Sequence, residues 1–215
     1  SYVPCSGNGE DSCRFWIETK ALTLIMSHNE NKIRERQANF RQTNAFAMQH
    51  GILLGLWAVI CQACYVLGLS SPLFSNLWLL TLLAIPAITI LLTLRLRKIV
   101  GTDVSFPFSR GFVHAILTVM YASVWAAIAT FLYMQFFDKG YIFDYFTEAF
   151  SKPEIQRAMK ESGLDENIRN STNGMTVIDF IDGLRTFGAA NFAAMIIYLY
   201  MLFSPFIALL TGLIC

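Results

Sequence analysis

Apolar positions in this chain gather into four long runs, separated by two short breaks and one long polar stretch. One uninterrupted run, Phe112 to Phe137, contains no full charge, and His114 is its one group that titrates near neutral pH. About 26 helical residues rising 1.5 Å each span roughly 39 Å, more than the hydrocarbon of a bilayer. Similar runs cover about 45–69, 73–94 and 187–213, and Pro107 fits the first turn of the third span, with Ser105 as its cap. The pattern predicts an all-α polytopic membrane protein with spans at about 45–69, 73–94, 107–137 and 187–213.

Residues 138–186 follow another pattern. Phe143, Phe146 and Phe150 stand at i, i+3 and i+7 and predict an amphipathic helix with an aromatic face. Ser151-Lys152-Pro153-Glu154 has capping-box spacing and predicts the start of a second short helix, which Gly163 ends. Gly101-Thr102-Asp103 reads as a turn before the third span. Residues 1–25 lack periodicity, and Ala21 to Met26 is too short for a signal-peptide core. They read as a non-native or disordered extension, with a four-helix transmembrane domain over 26–215.

Composition agrees: 55% of residues are hydrophobic and 14% charged, where a soluble domain carries about 25% charged residues. The net charge of +1 gives no basis for a nucleic-acid partner. The cations matter through their placement. Lys32, Arg34, Arg36 and Arg41 precede the first span, Arg95, Arg97 and Lys98 follow the second, and 138–186 holds six basic residues against nine acidic ones. The positive-inside rule places both termini and the Arg95 segment in the cytoplasm and 138–186 outside.

Within the spans, Gly51 and Gly55 form a GxxxG pair that admits a close neighbour, with Leu53 and Leu54 expected to face outward. Ala189 and Ala193 give the fourth span a second small-residue stretch for helix packing. Gln62, Asn76, Gln135 and Asn191 read as interhelical hydrogen-bonding groups. No span carries an Asp or Glu, which a coupled transporter normally needs. His114 reads as an interfacial histidine bonded to water or a serine, and His50 is its one plausible partner at similar depth. Cys61 and Cys64 form a CxxC without a second thiol pair in 138–186 for electron relay, so packing is the favoured reading over thiol exchange. Asp182 and Arg185 are spaced to pair on one helix face, and Asp179 with Asp182 gives weak cause to expect a divalent cation. No catalytic, cofactor or metal motif emerges.

From Met26 onward the chain resembles a bacterial inner-membrane family, domain of unknown function 4199. The resemblance rests on the order of the spans, on Gly101-Thr102-Asp103-Val104-Ser105-Phe106 leading to Arg110-Gly111, and on Tyr133-Met134-Gln135-Phe136-Phe137-Asp138. It implies four spans in an inner membrane and assigns no activity. The functional expectation is a non-enzymatic accessory or scaffold subunit in the lipid bilayer, binding a protein or lipid partner or its own copies. Phe143, Phe146 and Phe150 would be the partner-binding face. A small oligomeric transporter or channel subunit is the alternative, and a thiol oxidoreductase using Cys61 and Cys64 a distant one.

The charge placement makes a topology prediction. Single cysteines at Ser71 or Gly163 should react with an impermeant thiol reagent applied to intact cells, and one at Thr102 should not. Labelling at Thr102 would reverse the orientation.

Overall fold

The computed structural model describes residues 10–100, 106–172 and 174–214, which are almost entirely helical. The helices are α1 (Glu10–Gly68), α2 (Pro72–Val100), α3 (Phe108–Leu132), α4 (Tyr141–Ser151), α5 (Pro153–Glu161), α6 (Leu164–Ser171), α7 (Val177–Arg185) and α8 (Ala189–Ile214). Four helical segments are long and apolar enough to cross a membrane: Glu18–Gly68, Pro72–Val100, Phe108–Phe137 and Ala189–Ile214. The protein is an all-α membrane protein with four such helices. The turn expected at 101–103 and the cap expected at Ser105 lie outside the described residues.

The chain divides into two compact units, Ser1–Ala45 and Phe46–Cys215. In the first, the side chains from Glu18 to Ala38 are all exposed, and Lys20 Nζ sits 3.9 Å above the Trp16 ring. The second holds the bundle and the polar excursion.

Contacts within the second unit fix the directions of its helices. His50 and Gln62 on α1 bond to groups at His114 and at Ala126 and Thr130 on α3, so the two helices run parallel. Tyr65 meets Trp78 at one end of α2, and Thr93 meets His114 at the other. Gly212 near the end of α8 faces Phe108 at the start of α3. The result is an up-down-up-down bundle. Its core is Leu54, Ile85, Leu92, Val119 and Ala122, with Trp57, Ile88, Tyr200 and Ile207 packed around it. Pro86 lies within a continuous α2, where its ring removes the N–H that Leu82 O would accept in a regular helix. Nearby, Trp57 Nε1 donates to the Thr81 carbonyl at 3.0 Å and joins α1 to α2.

Two absent side chains set the α1–α3 distance. A β-carbon on Gly51 would collide with Tyr121 Cβ and lie 3.2 Å from Thr118 O, and one on Gly55 would lie 2.8 Å from Trp125 Cβ. Without a hydrophobic force between helices in lipid, such close packing is what holds them together. Leu54 corrects the expectation that it faces outward: it is 0% exposed, whereas Leu53 is 50% exposed. The reason is helical spacing, since Leu54 is three residues beyond Gly51 and shares its buried stripe.

The excursion 138–186 consists of α4 to α7, entered through a π-helical turn at Tyr133–Phe137. Asp138 is buried and accepts from Gly140 N and Ile142 N, each at 3.1 Å, which fixes the start of α4. The capping box expected at Ser151 is absent. Ser151 ends α4 with its hydroxyl donating to Thr147 O, and α5 starts at Pro153 after Lys152 without a side-chain cap. The N-cap position of α5 falls on Lys152, whose side chain has no acceptor to offer the first turn. The capping box stands instead at α7, between Thr176 and Asp179.

This packing predicts that Gly51→Leu or Gly55→Leu lowers stability by about 1–3 kcal/mol through overpacking. Leu54→Ala should cost about 2–5 kcal/mol and Leu53→Ala far less. Thermal unfolding in detergent reads all four, and equal losses at all four would contradict the seam.

Candidate functional site

The polar residues buried in the bundle concentrate toward its basic end, where α1 enters, α2 leaves at Arg95 to Lys98, and α3 begins near Arg110. His50 is 5% exposed and His114 0%, with Thr89, Thr93 and Thr118 buried around them. The histidines come together because their neighbours are small: Gly51 follows His50, and Ala115, at 0% exposure, follows His114. His50 Nδ1 lies 3.0 Å from His114 Nε2. The ring centroids are 5.1 Å apart and the planes nearly perpendicular, at 87°.

The hydroxyls around the pair fix the direction of the hydrogen bonds. Thr93 Oγ1 donates to Thr89 O at 2.9 Å and so uses its one hydrogen. It must then accept from His114 Nδ1, 2.9 Å away. His114 Nε2 is left as an acceptor and takes the Nδ1–H of His50. Three hydrogen bonds therefore run in one sense from α1 through α3 to α2. Thr118 Oγ1, at 3.4 Å from His114 Nε2, is a longer and weaker contact. Phe46 covers His50 with ring centroids 6.1 Å apart.

His114 is thus not interfacial, as the sequence suggested, but fully enclosed, with a histidine and a threonine as its partners. An unpaired polar group in hydrocarbon costs several kcal/mol, and His114 avoids that cost with both ring nitrogens bonded. Arg110, one turn before His114, is 8% exposed and lies 5.8 Å from the Phe106 ring centroid.

The other candidates are scattered. Gln62 donates to Ala126 O at 3.1 Å and to Thr130 Oγ1 at 3.0 Å, bridging α1 to α3. Asn76, Gln135 and Asn191 are exposed. Cys61 and Cys64 are buried free thiols, and Cys61 lies beside Thr81 of α2. Among the described residues, no group of three or more His, Cys, Asp or Glu is arranged to hold a metal.

The phenylalanines of α4 turn inward, whereas Tyr141 and Tyr145 are exposed. Phe143 packs on Phe192 of α8 with centroids 5.6 Å apart. Phe146 lies against Phe150 at 6.4 Å and Tyr145 at 5.7 Å, and Phe143, Phe146 and Phe150 are all half-buried. Arg185 ties α7 to Asp144 of α4 and also contacts Asp182 at 3.3 Å, both on the surface. Ala189 and Ala193 are half-buried at the start of α8. Ala189 joins Phe143, Asp138 and Arg185 around a cavity of about 230 Å³ where the excursion meets the bundle. Asp179 is occupied by its cap: the hydroxyl and N–H of Thr176 both donate to it and hold its carboxyl below the usual carboxylate range.

Similar depth marked His50 as the one plausible partner of His114 in the sequence, and the structure brings the two together across 64 residues.

Comparison with curated proteins and with solved structures finds no match. Residues 49–214, which include both histidines, the glycine pair and the excursion, match the family model described as "Protein of unknown function (DUF4199)", and the chain belongs to that family.

Proposed function

We propose that this protein is a non-enzymatic accessory or scaffold subunit of a bacterial inner membrane, with its basic end toward the cytoplasm, and that it works by binding a protein or lipid partner. The observation that carries this reading is the contrast between a filled interior and a broad outer face. Leu54, Leu96, Ala115, Val119, Ala122 and Ala126 are at most 1% exposed. Glycine-mediated contacts close α1 onto α3 and α8 onto Phe108. Of the most apolar 18-residue window in α8, only 11% is buried, against 39% in the span that contains α3. Tyr198 at 70%, Leu202 at 61% and Phe206 at 62% exposure lie along that open face. The half-buried aromatics of α4 already serve the excursion's own packing, so α8 is the better candidate for contact with a partner than Phe143, Phe146 and Phe150.

A transporter subunit is the second reading, favoured by the titratable pair inside the bundle. Two features weigh against it. The apolar runs 45–69, 73–94, 107–137 and 187–213 carry no carboxylate, and the histidine chain ends on the Thr89 carbonyl, which has no proton to pass on.

A photo-crosslinking residue at Tyr198 or Leu202 should give a discrete protein or lipid adduct in cells, and the same residue at Leu53 on α1 should not. Reconstituted vesicles should show no protein-dependent solute or proton flux. Flux that is lost in a folded His114→Gln variant would replace the scaffold reading with the transporter reading.

A further inference from the structure

We propose that the cavity where the excursion meets the bundle binds the headgroup of a zwitterionic phospholipid, with its phosphate at Lys139 and its primary ammonium between Asp138 and a group of phenylalanine rings. The proposal does not use the open face of α8 and is independent of the scaffold reading.

The position of the cavity points to a lipid. Asp138 follows the last residue of the apolar segment Phe108–Phe137, Ala189 is the first of Ala189–Ile214, and both line this space of about 230 Å³. The cavity therefore lies where two apolar helices leave the hydrocarbon, at the depth of the headgroups. Lys139, Arg185 and Phe187 in its lining are exposed, so it opens at the surface. Phe136 and Phe137, exposed on the turn just before Asp138, give acyl chains an apolar rim to lie against.

The charges decide the class of headgroup. Lys139 stands in the left-handed region at φ 46°, the one non-glycine residue there among the described residues. Glycine takes that conformation with least strain, so the turn into α4 gives no reason for a lysine, and its side chain does. Lys139 has no ion pair among the described residues, whereas Arg185 is shared by Asp144 and Asp182 at the rim. Asp138 is 3% exposed, and Gly140 N, Ile142 N and the Tyr133 hydroxyl occupy three of the four lone pairs of its carboxylate. One acceptor direction is left for a further donor. Three carboxylates against two cations do not favour a purely anionic headgroup. A zwitterion answers both signs, its phosphate accepting from Lys139 and its ammonium donating to Asp138. Phe143 and Phe187 stand 5.6 and 6.3 Å from Phe192, centroid to centroid, and ring faces attract a cation. A quaternary ammonium has no N–H for Asp138, so a primary one fits better.

The test uses the full chain in mild detergent, with phosphatidylethanolamine and phosphatidylglycerol of the same acyl chains added at equal concentration. Native mass spectrometry reads which lipid the chain retains. One phosphatidylethanolamine should be held in preference to phosphatidylglycerol. Lys139→Gly should weaken that binding roughly tenfold without lowering the thermal unfolding midpoint, because glycine suits the left-handed turn. Lys139→Arg, which keeps the cation, should bind as the native chain does. Retention of phosphatidylglycerol equal to or above that of phosphatidylethanolamine would overturn the proposal. So would unchanged retention in Lys139→Gly, or a Lys139→Arg variant as weak as Lys139→Gly. Displacement by water-soluble glycerophosphoethanolamine at the lipid's own concentration would overturn the lipid as occupant.

Discussion

Inside a bilayer, lipid tails are as apolar as leucine, so helices associate through close contact and not through exclusion of water. In this protein that contact depends on two missing β-carbons. Gly51 and Gly55 let the α1 backbone meet Tyr121, Thr118 and Trp125 of α3. The hydrogen bonds between α1 and α3 lie along the same seam. Gln62 can reach Ala126 O and Thr130, and His50 can reach His114, because the helix axes are already near each other. Larger side chains at the two glycines would stretch every one of these bonds.

The same constraint accounts for the character of the interior. Most buried hydroxyls bond backward to carbonyls of their own helix, as Thr89 does to Ile85 and Thr211 to Ile207. They fill space at low polar cost and do not tie helices together. The histidine pair and Gln62 differ, since their bonds cross between helices. The bundle thus has a polar lock at its basic end and an amide bridge further along α1, separated by the apolar core around Leu54 and Val119.

The spans were legible in the sequence because an uncharged apolar run longer than a bilayer is thick has almost nowhere else to be stable. The glycine pair was legible because GxxxG has a direct steric meaning. Side-chain direction was less legible. Leu53 and Leu54 are adjacent and chemically identical, and only the position of the seam decides that the second is buried and the first is not. The capping pattern at Ser151 failed since Ser151 still belongs to α4 and the N-cap of the next helix falls on Lys152, while Thr176-Asp179 was overlooked because Asp replaces the more familiar Glu. The aromatic spacing of α4 correctly marks a face but does not say whether a partner or the chain itself covers it. His114 was expected at an interface for a related reason: its depth and that of His50 can be counted along a sequence, but how closely the neighbouring helices enclose it cannot.

The claim on which the rest stands is that Gly51 and Tyr121 are in backbone-level contact. A double-mutant cycle tests it directly. Gly51→Ala should cost about 1–3 kcal/mol in the native background. The cost should be much smaller in a Tyr121→Gly background, where the opposing β-carbon is gone and a contact of 3.2 Å to Thr118 O remains. An equal cost in both backgrounds would mean that α1 and α3 do not meet at this position, and the histidine pair beside it would lose its structural basis.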